Sequence, residues 1–312
     1  MDIVLLLPGQ GSQKPGMARD IAEAFPAARD TLQSIDAAID ASLSALMFDG
    51  PADELTRTHN AQPALLAHSA AVWSVVQSAV TPHLRAAAGH SLGEFSAYHT
   101  TGVFTAPDAA RVVRQRGLLM YEQGVARPGA MAAILGTLTV SIDDICKTAS
   151  AQSGLVVPAN YNSPEQTVIS GEVAGVERAM TLAKEAGAKR CLPLPVSGAF
   201  HSPLMAPAAD GLAKVLNSVP MRDATIPVYV NVDGTAVREA KAATTLLVKQ
   251  LTSPVQWTLV MQNLGIAFPD ALFVELGTGS VLTGLARRIA PNVKTMSCGT
   301  VAEVESLMKQ VA

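Results

Sequence analysis

Gly89-His90-Ser91-Leu92-Gly93 is the stretch of sequence that decides the fold. It matches the G-x-S-x-G nucleophile elbow, in which a sharp strand-to-helix turn lifts a serine hydroxyl clear of a sheet while small glycines let the backbone close. Residues 85–88 before it are a short strand candidate, and a helical pattern follows. The helix would aim its free N–H groups and positive end at Ser91, which makes the Leu92 N–H a natural oxyanion donor.

The segments on either side of this elbow predict an α/β layered core. A continuous apolar run over residues 3–7 indicates a buried strand that ends in the Gly-rich turn Pro8-Gly9-Gln10-Gly11-Ser12-Gln13. Helical patterns follow over residues 17–35 and 63–79. The C-terminal third continues in the same way, with helices over 207–217 and 244–251, strands over 226–230 and 272–276, and two closing helical stretches.

Residues 127–197 have a pattern of their own. Strand, helix and turn signals follow the order β-α-β-β-α-β, over residues 130–135, 141–151, 155–160, 167–170, 173–186 and 189–196. That order is the split βαβ, or ferredoxin-like, arrangement. We therefore predict a large α/β domain, residues 1–126 and 198–312, with a ferredoxin-like domain, residues 127–197, inserted in it.

Composition and charge restrict the class of protein. The chain has 312 residues, 49% of them hydrophobic, with a net charge of −3, so neither nucleic acid nor an anionic membrane surface is expected as a partner. The three cysteines are far apart and odd in number, which is typical of reduced thiols. The N-terminus lacks the basic start of a signal peptide, and no apolar run reaches the roughly 18 residues of a membrane span. A cytoplasmic protein is expected.

A nucleophilic serine needs a base, and the chain has six histidines. His90 adjoins Ser91, but neighbours at a sharp turn point in different directions. His201 follows an extended segment that re-enters the core, where loops carry function. The other histidines lie in helical or turn contexts and are expected to be structural: His59, His68, His83 and His99. Taken alone, even His201 fits a structural role better than a catalytic one.

A cation stands on the predicted buried face of one helix. Val112, Leu119 and Met120 form an apolar stripe, and Arg116 lies inside it. Arg114, about 200° away around the helix, is predicted to face solvent. Because an unpaired buried charge is costly, Arg116 needs an anion. Two partners stay open: an internal Asp or Glu, slightly favoured by geometry, or a substrate carboxylate held bidentately by the guanidinium.

A series of motifs along essentially the whole chain resembles the malonyl-CoA:acyl carrier protein transacylase family. The motifs occur in the family's order: Pro8-Gly9-Gln10-Gly11-Ser12-Gln13, Gln62-Pro63-Ala64, Gly89-His90-Ser91-Leu92-Gly93-Glu94, Arg114-Gln115-Arg116-Gly117, Gly129-Ala130-Met131, Asn162-Ser163-Pro164, Phe200-His201-Ser202, Pro254-Val255-Gln256-Trp257 and Glu275-Leu276-Gly277. So many motifs in one order are far more specific than any one pattern.

The resemblance implies a hydrolase-like α/β core with an inserted ferredoxin-like domain, in agreement with the layout above. It implies that Ser91 is the nucleophile and that His201 is its base. Backbone N–H groups of Gln10 and Leu92 would form the oxyanion hole. The backbone carbonyl of Gln250 would orient the histidine, so that no acidic triad member is required.

The resemblance also implies a substrate. Arg116 would bind the free carboxylate of a malonyl group, with Gln62 nearby, and Phe200 resembles the bulky residue of malonyl-selective members. Malonyl-CoA and an acyl carrier protein would be the partners, in a reaction that needs no metal or organic cofactor. Gly277-Thr278-Gly279 does not continue as a dinucleotide-binding motif, because Leu282 stands where the third glycine belongs.

Three other functions stay open at this point. A free-standing acyltransferase of a polyketide synthase would use the same residues with a different carrier protein. A serine esterase or thioesterase would have no need of Arg116. A catalytically silent carrier-binding module would not need the set Ser91, His201, Arg116 and Gln10, which is intact here.

Overall fold

The structure, a computed structural model, describes residues 1–196 and 198–311. Ser197 and Ala312, the last residues of the predicted insertion and of the chain, lie outside the described residues. The strands are β1 Ile3–Leu7, β2 Leu84–Gly89, β3 Ala130–Leu135, β4 Val156–Ser163, β5 Gln166–Gly171, β6 Arg190–Pro193, β7 Val228–Tyr229, β8 Ala236–Val237, β9 Leu272–Leu276 and β10 Lys294–Cys298.

Helices cover both sheets of the molecule. They are α1 Arg19–Ala24, α2 Pro26–Ile39, α3 Leu43–Asp49, α4 Ala52–Thr56, α5 Thr58–Val80, α6 Gly93–Thr100, α7 Ala106–Ala126, α8 Ile142–Ser153, α9 Val173–Glu185, α10 Ala206–Asn217, α11 Ala240–Gln250, α12 Trp257–Ala267, α13 Val281–Ile289 and α14 Val301–Val311. Short 3₁₀ turns span Thr81–His83 and Pro203–Met205.

The large sheet has the strand order β10-β9-β1-β2-β7-β8 and is parallel except for β8. Every residue of β1 is fully buried, and successive side chains enter opposite cores. Leu5 belongs to the buried cluster that contains residues of α2, α5 and α7, whereas Val4 and Leu6 belong to the cluster that contains residues of α12 and α13. The continuous apolar run is therefore the signature of a strand buried on both faces.

The register of β1 and β2 brings two functional turns together. Leu7, the last residue of β1, pairs with Gly89, the last residue of β2. Because the strands are parallel, the Gly-rich turn after β1 and the elbow after β2 lie at the same edge of the sheet, the edge at which open α/β sheets bind ligands.

The elbow closes only because its glycines have no side chains. A Cβ on Gly89 would lie 1.9 Å from the Gly93 carbonyl carbon, and a Cβ on Gly93 would lie 2.0 Å from the Leu7 oxygen. Ser91 between them has φ 51°, in the left-handed region that L-residues avoid. The backbone is thus held in a strained turn that presents the hydroxyl.

The small sheet is antiparallel, with the order β4-β5-β3-β6. Helices α8 and α9 cover one face of it. On the opposite face Met131 and Val168 join the main core. Strand β4 is joined to the segment between α11 and α12 by backbone hydrogen bonds from Tyr161 N to Val255 O (2.9 Å) and from Val255 N to Ala159 O (2.8 Å).

The predicted fold class is confirmed, and some elements differ from their predicted form. Residues 17–35 are two helices rather than one, because Pro26 begins a new helix after the extended Phe25. The strand expected over residues 226–230 has only two residues. Strand β10, which was not predicted, lies between the two closing helices, at the sheet edge; its side chains are mostly half-buried and form no continuous apolar run. The domain boundaries stay a prediction.

One segment, Thr58–His83, has the length and mean hydropathy (1.3) of a membrane-crossing helix. It was not among the segments predicted from the sequence to span a membrane, because Gln62, His68 and Ser69 interrupt its apolar residues. In the structure 67% of its apolar window is buried inside the protein, where α5 packs against α2 and α7. The segment is a core helix of this fold.

Candidate active site

Ser91 and His201 meet at the carboxyl edge of the large sheet. Ser91 Oγ lies 2.8 Å from His201 Nε2, and His201 Nδ1 lies 2.9 Å from the backbone oxygen of Gln250. Because a carbonyl oxygen can only accept, Nδ1 carries the hydrogen and Nε2 presents its lone pair to the serine. The geometry is that of a nucleophile, a base and an orienting acceptor.

The imidazole of His201 is held neutral by its surroundings. Burial, and after it the nearby positive charge of Arg116, lowers the pKa of His201 to about 3. The side chain is 4% exposed and its backbone, like that of Ser91, is left-handed, with φ 56°. A neutral imidazole can accept the serine proton at any pH well above 3.

Arg116 lies in the same site and is 1% exposed. It donates to Gln62 Oε1 (2.7 Å), to Gln250 Oε1 (2.9 Å) and to Ser91 Oγ (3.3 Å), and its guanidinium carbon lies 5.3 Å from the Phe95 ring centroid. Burial lowers the pKa of Arg116 to about 10, so it is charged at neutral pH.

The first of the two partners considered for Arg116 is not in contact with it. Among the described residues no carboxylate forms an ion pair with this guanidinium, and its acceptors are amide and hydroxyl oxygens. Neutral acceptors leave the buried charge uncompensated at short range. A cation in this state beside a nucleophile is suited to receive an anionic substrate group.

Arg114 corrects one prediction. It was expected to face solvent but is partly buried, and it donates to the His59 carbonyl and to the Asn60 side chain. The physical reason is that α5 and α7 pack closely, so the second face of α7 is also covered. A single apolar stripe did not reveal this second contact face.

A cavity of about 410 Å³ opens onto the dyad. Its lining includes six of the residues selected from the sequence: Gln10, Ser91, Leu92, Arg116, Phe200 and His201. Residues of the small domain also line it, among them Met131, Ala133, Asn160, Asn162, Gln166 and Val168. The site therefore lies between the two sheets.

Gln62 supports Arg116 from a fully buried position on α5. While its Oε1 accepts from Arg116, its Nε2 donates to Thr58 Oγ1 (3.0 Å), which in turn donates to Gln10 Oε1 (3.0 Å). This chain of hydrogen bonds connects the Gly-rich turn after β1 with the guanidinium.

Comparison with known proteins agrees with this geometry. A family model described as an acyl transferase domain matches residues 4–308. The chain belongs to the acyl transferase family. Its predicted membership of the malonyl-CoA:acyl carrier protein transacylases is confirmed by relatives such as the malonyl CoA-acyl carrier protein transacylase of Bacillus subtilis, which is 43% identical over 304 residues, covering 97% of this chain and 95% of the relative.

Solved structures of this acyl transferase family superpose closely. An acyl-carrier-protein-S-malonyltransferase from Bartonella henselae is 40% identical, with a TM-score of 0.94 over 100% of this chain and 99% of that one. A malonyl-transacylase solved in complex with its type II PKS acyl-carrier protein is also 40% identical, with a TM-score of 0.93 over 99% and 100% of the two chains.

Sequence reasoning gave no individual role to two residues of this acyl transferase site. Asn231, fully buried, accepts the Ser91 N–H (2.7 Å) and donates to the Gly89 carbonyl (2.7 Å), which fastens the elbow. Glu94, also fully buried, accepts from the Asn231 backbone N–H. A usable signal existed for Asn231, since it is a polar residue directly after a predicted strand of the core sheet.

His90 is bound away from the dyad, in line with its structural interpretation. Its Nε2 lies 2.7 Å from Asn162 Oδ1 in the small domain, and its ring centroid lies 5.5 Å from that of Trp257. Asn162, interpreted only as part of a turn, thus ties the small sheet to the elbow. Within the described part of the chain no group of three or more His, Cys, Asp or Glu side chains is placed to hold a metal ion.

Proposed function

We propose that this chain transfers a malonyl group from malonyl-CoA to the phosphopantetheine thiol of an acyl carrier protein through a malonyl ester on Ser91. It would supply fatty-acid synthesis in the cytoplasm. The observation that carries the proposal is Arg116, a buried guanidinium with neutral acceptors that donates to Ser91 Oγ at 3.3 Å. An acyl group on that oxygen which ends in a carboxylate would supply the missing negative charge.

Acylation begins with proton transfer within the dyad. Ser91 Oγ attacks the thioester carbon as its proton moves to His201 Nε2, while the Gln250 carbonyl stabilises the imidazolium that forms. The N–H groups of Gln10 and Leu92 are proposed to hold the oxyanion. The carbon–sulfur bond then breaks, and the imidazolium gives its proton to the sulfur of coenzyme A.

Transfer repeats these steps with a second thiol. His201 takes the proton of the phosphopantetheine thiol, the sulfur attacks the Ser91 ester, and the proton returns to Ser91 Oγ. Water competes for this ester, and the buried dyad beneath a cavity of about 410 Å³ limits its access. We propose that serine, histidine and backbone donors suffice, with a coenzyme A thioester as substrate and no metal or bound cofactor.

Transfer to the carrier protein is the first test. Malonylated enzyme, freed of coenzyme A and mixed with carrier protein, should lose its malonyl group to the phosphopantetheine form and keep it with the form that lacks phosphopantetheine. Both proteins are weighed intact by mass spectrometry. Release to water at the same rate with either form would favour the esterase alternative, and failure to form any adduct would favour the silent binding module.

A second carrier is favoured by one comparison. A structural relative at 40% identity was solved with a type II PKS acyl-carrier protein. A free-standing acyltransferase of a polyketide synthase is therefore the alternative proposal, with the same chemistry. The rates of transfer to fatty-acid and polyketide carrier proteins distinguish the two functions.

Phe200 gives a prediction about the acyl group. Its ring, 7% exposed, lines the cavity beside His201. Phe200→Ser should relax discrimination against methylmalonyl-CoA, because the extra methyl group would gain room. The change in the ratio of kcat/KM values should correspond to about 1–3 kcal/mol, the usual worth of one methyl group. An unchanged ratio would show that this ring does not limit the acyl group.

A further inference from the structure

Glu94 is a buried carboxylate that the proposed mechanism does not use. It lies on α6, three residues after Ser91, and is fully buried. Its Oε2 accepts the Asn231 N–H (2.9 Å) and the Gln250 Nε2 (2.8 Å), while its Oε1 is buried without a hydrogen-bond partner. A buried carboxylate that is neither ion-paired nor fully hydrogen-bonded is costly, so its presence calls for a role.

Each of the two acceptor contacts of Glu94 leads to the active site. Asn231 fastens the elbow at Ser91 and Gly89. Gln250 orients His201 through its backbone oxygen, and its side-chain Oε1 accepts from Arg116. The residues that hold nucleophile, base and guanidinium thus converge on one carboxylate.

The chemistry of the carboxylate fixes the orientation of the Gln250 amide. An ionised carboxylate can only accept hydrogen bonds, so the NH₂ group of Gln250 must face Glu94, and Oε1 must then face Arg116. The opposite orientation would set an NH₂ group against a guanidinium, two donors with no acceptor. The backbone oxygen of Ser91 also accepts from Gln250 Nε2 (3.0 Å), so Glu94 and this carbonyl group together direct Oε1 of Gln250 toward Arg116.

Glu94 also contributes charge. It is the carboxylate that acts on Arg116 electrostatically, across the Gln250 amide and without direct contact. Burial raises the pKa of Glu94 to about 7, against the lowering effect of Arg116 on α7, and Asp233 after β7 raises it further. Tyr98, one turn along α6, also feels the Glu94 charge. The carboxyl group can therefore exchange a proton near neutral pH.

We propose that Glu94 is a positioning residue for the malonyl-binding arginine: through Gln250 it orients Arg116, and its negative charge balances the guanidinium while the site is empty. This inference rests on the proposed function. When a malonyl carboxylate reaches Arg116, an ionised Glu94 becomes a second anion competing for one cation. A proton taken up on the free Oε1 would restore neutrality.

Binding measurements separate this role from a purely structural one. In a Ser91→Ala background, which cannot be acylated, the Kd values of malonyl-CoA and acetyl-CoA are measured by calorimetry from pH 6 to 8.5. The ratio of the two Kd values cancels any effect of pH on the binding of the coenzyme A portion, which both ligands share. The preference for malonyl-CoA should fall about tenfold as pH rises and Glu94 ionises. His201 does not contribute, since its pKa of about 3 keeps it neutral throughout.

Glu94→Gln is the decisive variant. The glutamine can still accept from Asn231 and Gln250 but carries no charge, so the malonyl preference should stay within twofold of its pH 6 value at every pH. The exposed Glu122→Gln on α7 is the matched control and should follow the parent protein. An unaltered pH dependence in Glu94→Gln would overturn the charge-balancing role.

Glu94→Leu tests the orienting role, because it removes the acceptor as well. At pH 6 the preference of Glu94→Leu for malonyl-CoA over acetyl-CoA should be at least tenfold lower than that of Glu94→Gln. An equal preference in the two variants would overturn this part of the proposal. If Glu94→Leu does not fold, as its melting curve would show, the Glu94→Gln result alone decides. Failure of the proposed function itself would look different: the parent protein would not prefer malonyl-CoA at any pH.

Discussion

Arg116→Ala should lower kcat/KM for malonyl-CoA by roughly 10²–10⁴-fold. Truncating one partner of a buried charge pair costs about 2–5 kcal/mol, because the other charge is left buried and unpaired. In this protein the remaining charge would be the malonyl carboxylate, beside neutral amides that cannot compensate it. Rates of enzyme acylation with malonyl-CoA and acetyl-CoA, measured on the same preparations, check this expectation.

Acetyl-CoA provides the internal control for that substitution. Acetyl transfer should fall far less than malonyl transfer, because an acetyl group has no carboxylate for the guanidinium to bind. Arg114→Ala, two residues earlier on the same helix and bound to backbone and amide oxygens, controls for damage to α7. If Arg116→Ala depresses both substrates equally, the arginine is structural, and the malonyl assignment rests on family membership alone.

His201→Ala should slow acylation of Ser91 by roughly 10²–10⁴-fold, the usual contribution of a positioned general base. The expectation follows from the 2.8 Å contact of Nε2 with Ser91 Oγ and from the pKa of about 3, which keeps the imidazole unprotonated at neutral pH. Stopped-flow measurement of coenzyme A release gives the rate. His83→Ala, in the turn before β2, is the matched control, and a near-normal rate in His201→Ala would mean that another group is the base.

Much of the fold could be predicted because its central strands carry strong local patterns. Residues 3–7 form a continuous apolar run, and residues 272–276 form one that only Glu275 interrupts. Both are buried along their whole length, and the structure has them as β1 and β9 with the same limits. Strand β10 could not be predicted, since an edge strand with half-buried side chains has neither a continuous run nor a clean alternation. Its position is set by pairing with β9, and the residues of the segment itself do not reveal that pairing.

In the candidate site, too, some residues could be predicted from the sequence and others could not. Ser91, His201 and Arg116 were selected because each stands in a motif or on a helical stripe, and the structure brings all three together. Glu94 stands in a quoted motif but, like Asn231, was given no individual role, because the contacts of these two residues join α6 to a loop 137 residues away. The side chain of Gln250 was likewise unforeseen, since only its backbone oxygen had an expected role.

The most direct test of the central claim is the mass of the intact protein after mixing with malonyl-CoA. A malonyl ester on Ser91 predicts that the protein gains the mass of one malonyl group and that Ser91→Ala gains none, while still binding malonyl-CoA. A malonyl adduct of undiminished yield on the Ser91→Ala protein would contradict the account, because the nucleophile would then be a different residue.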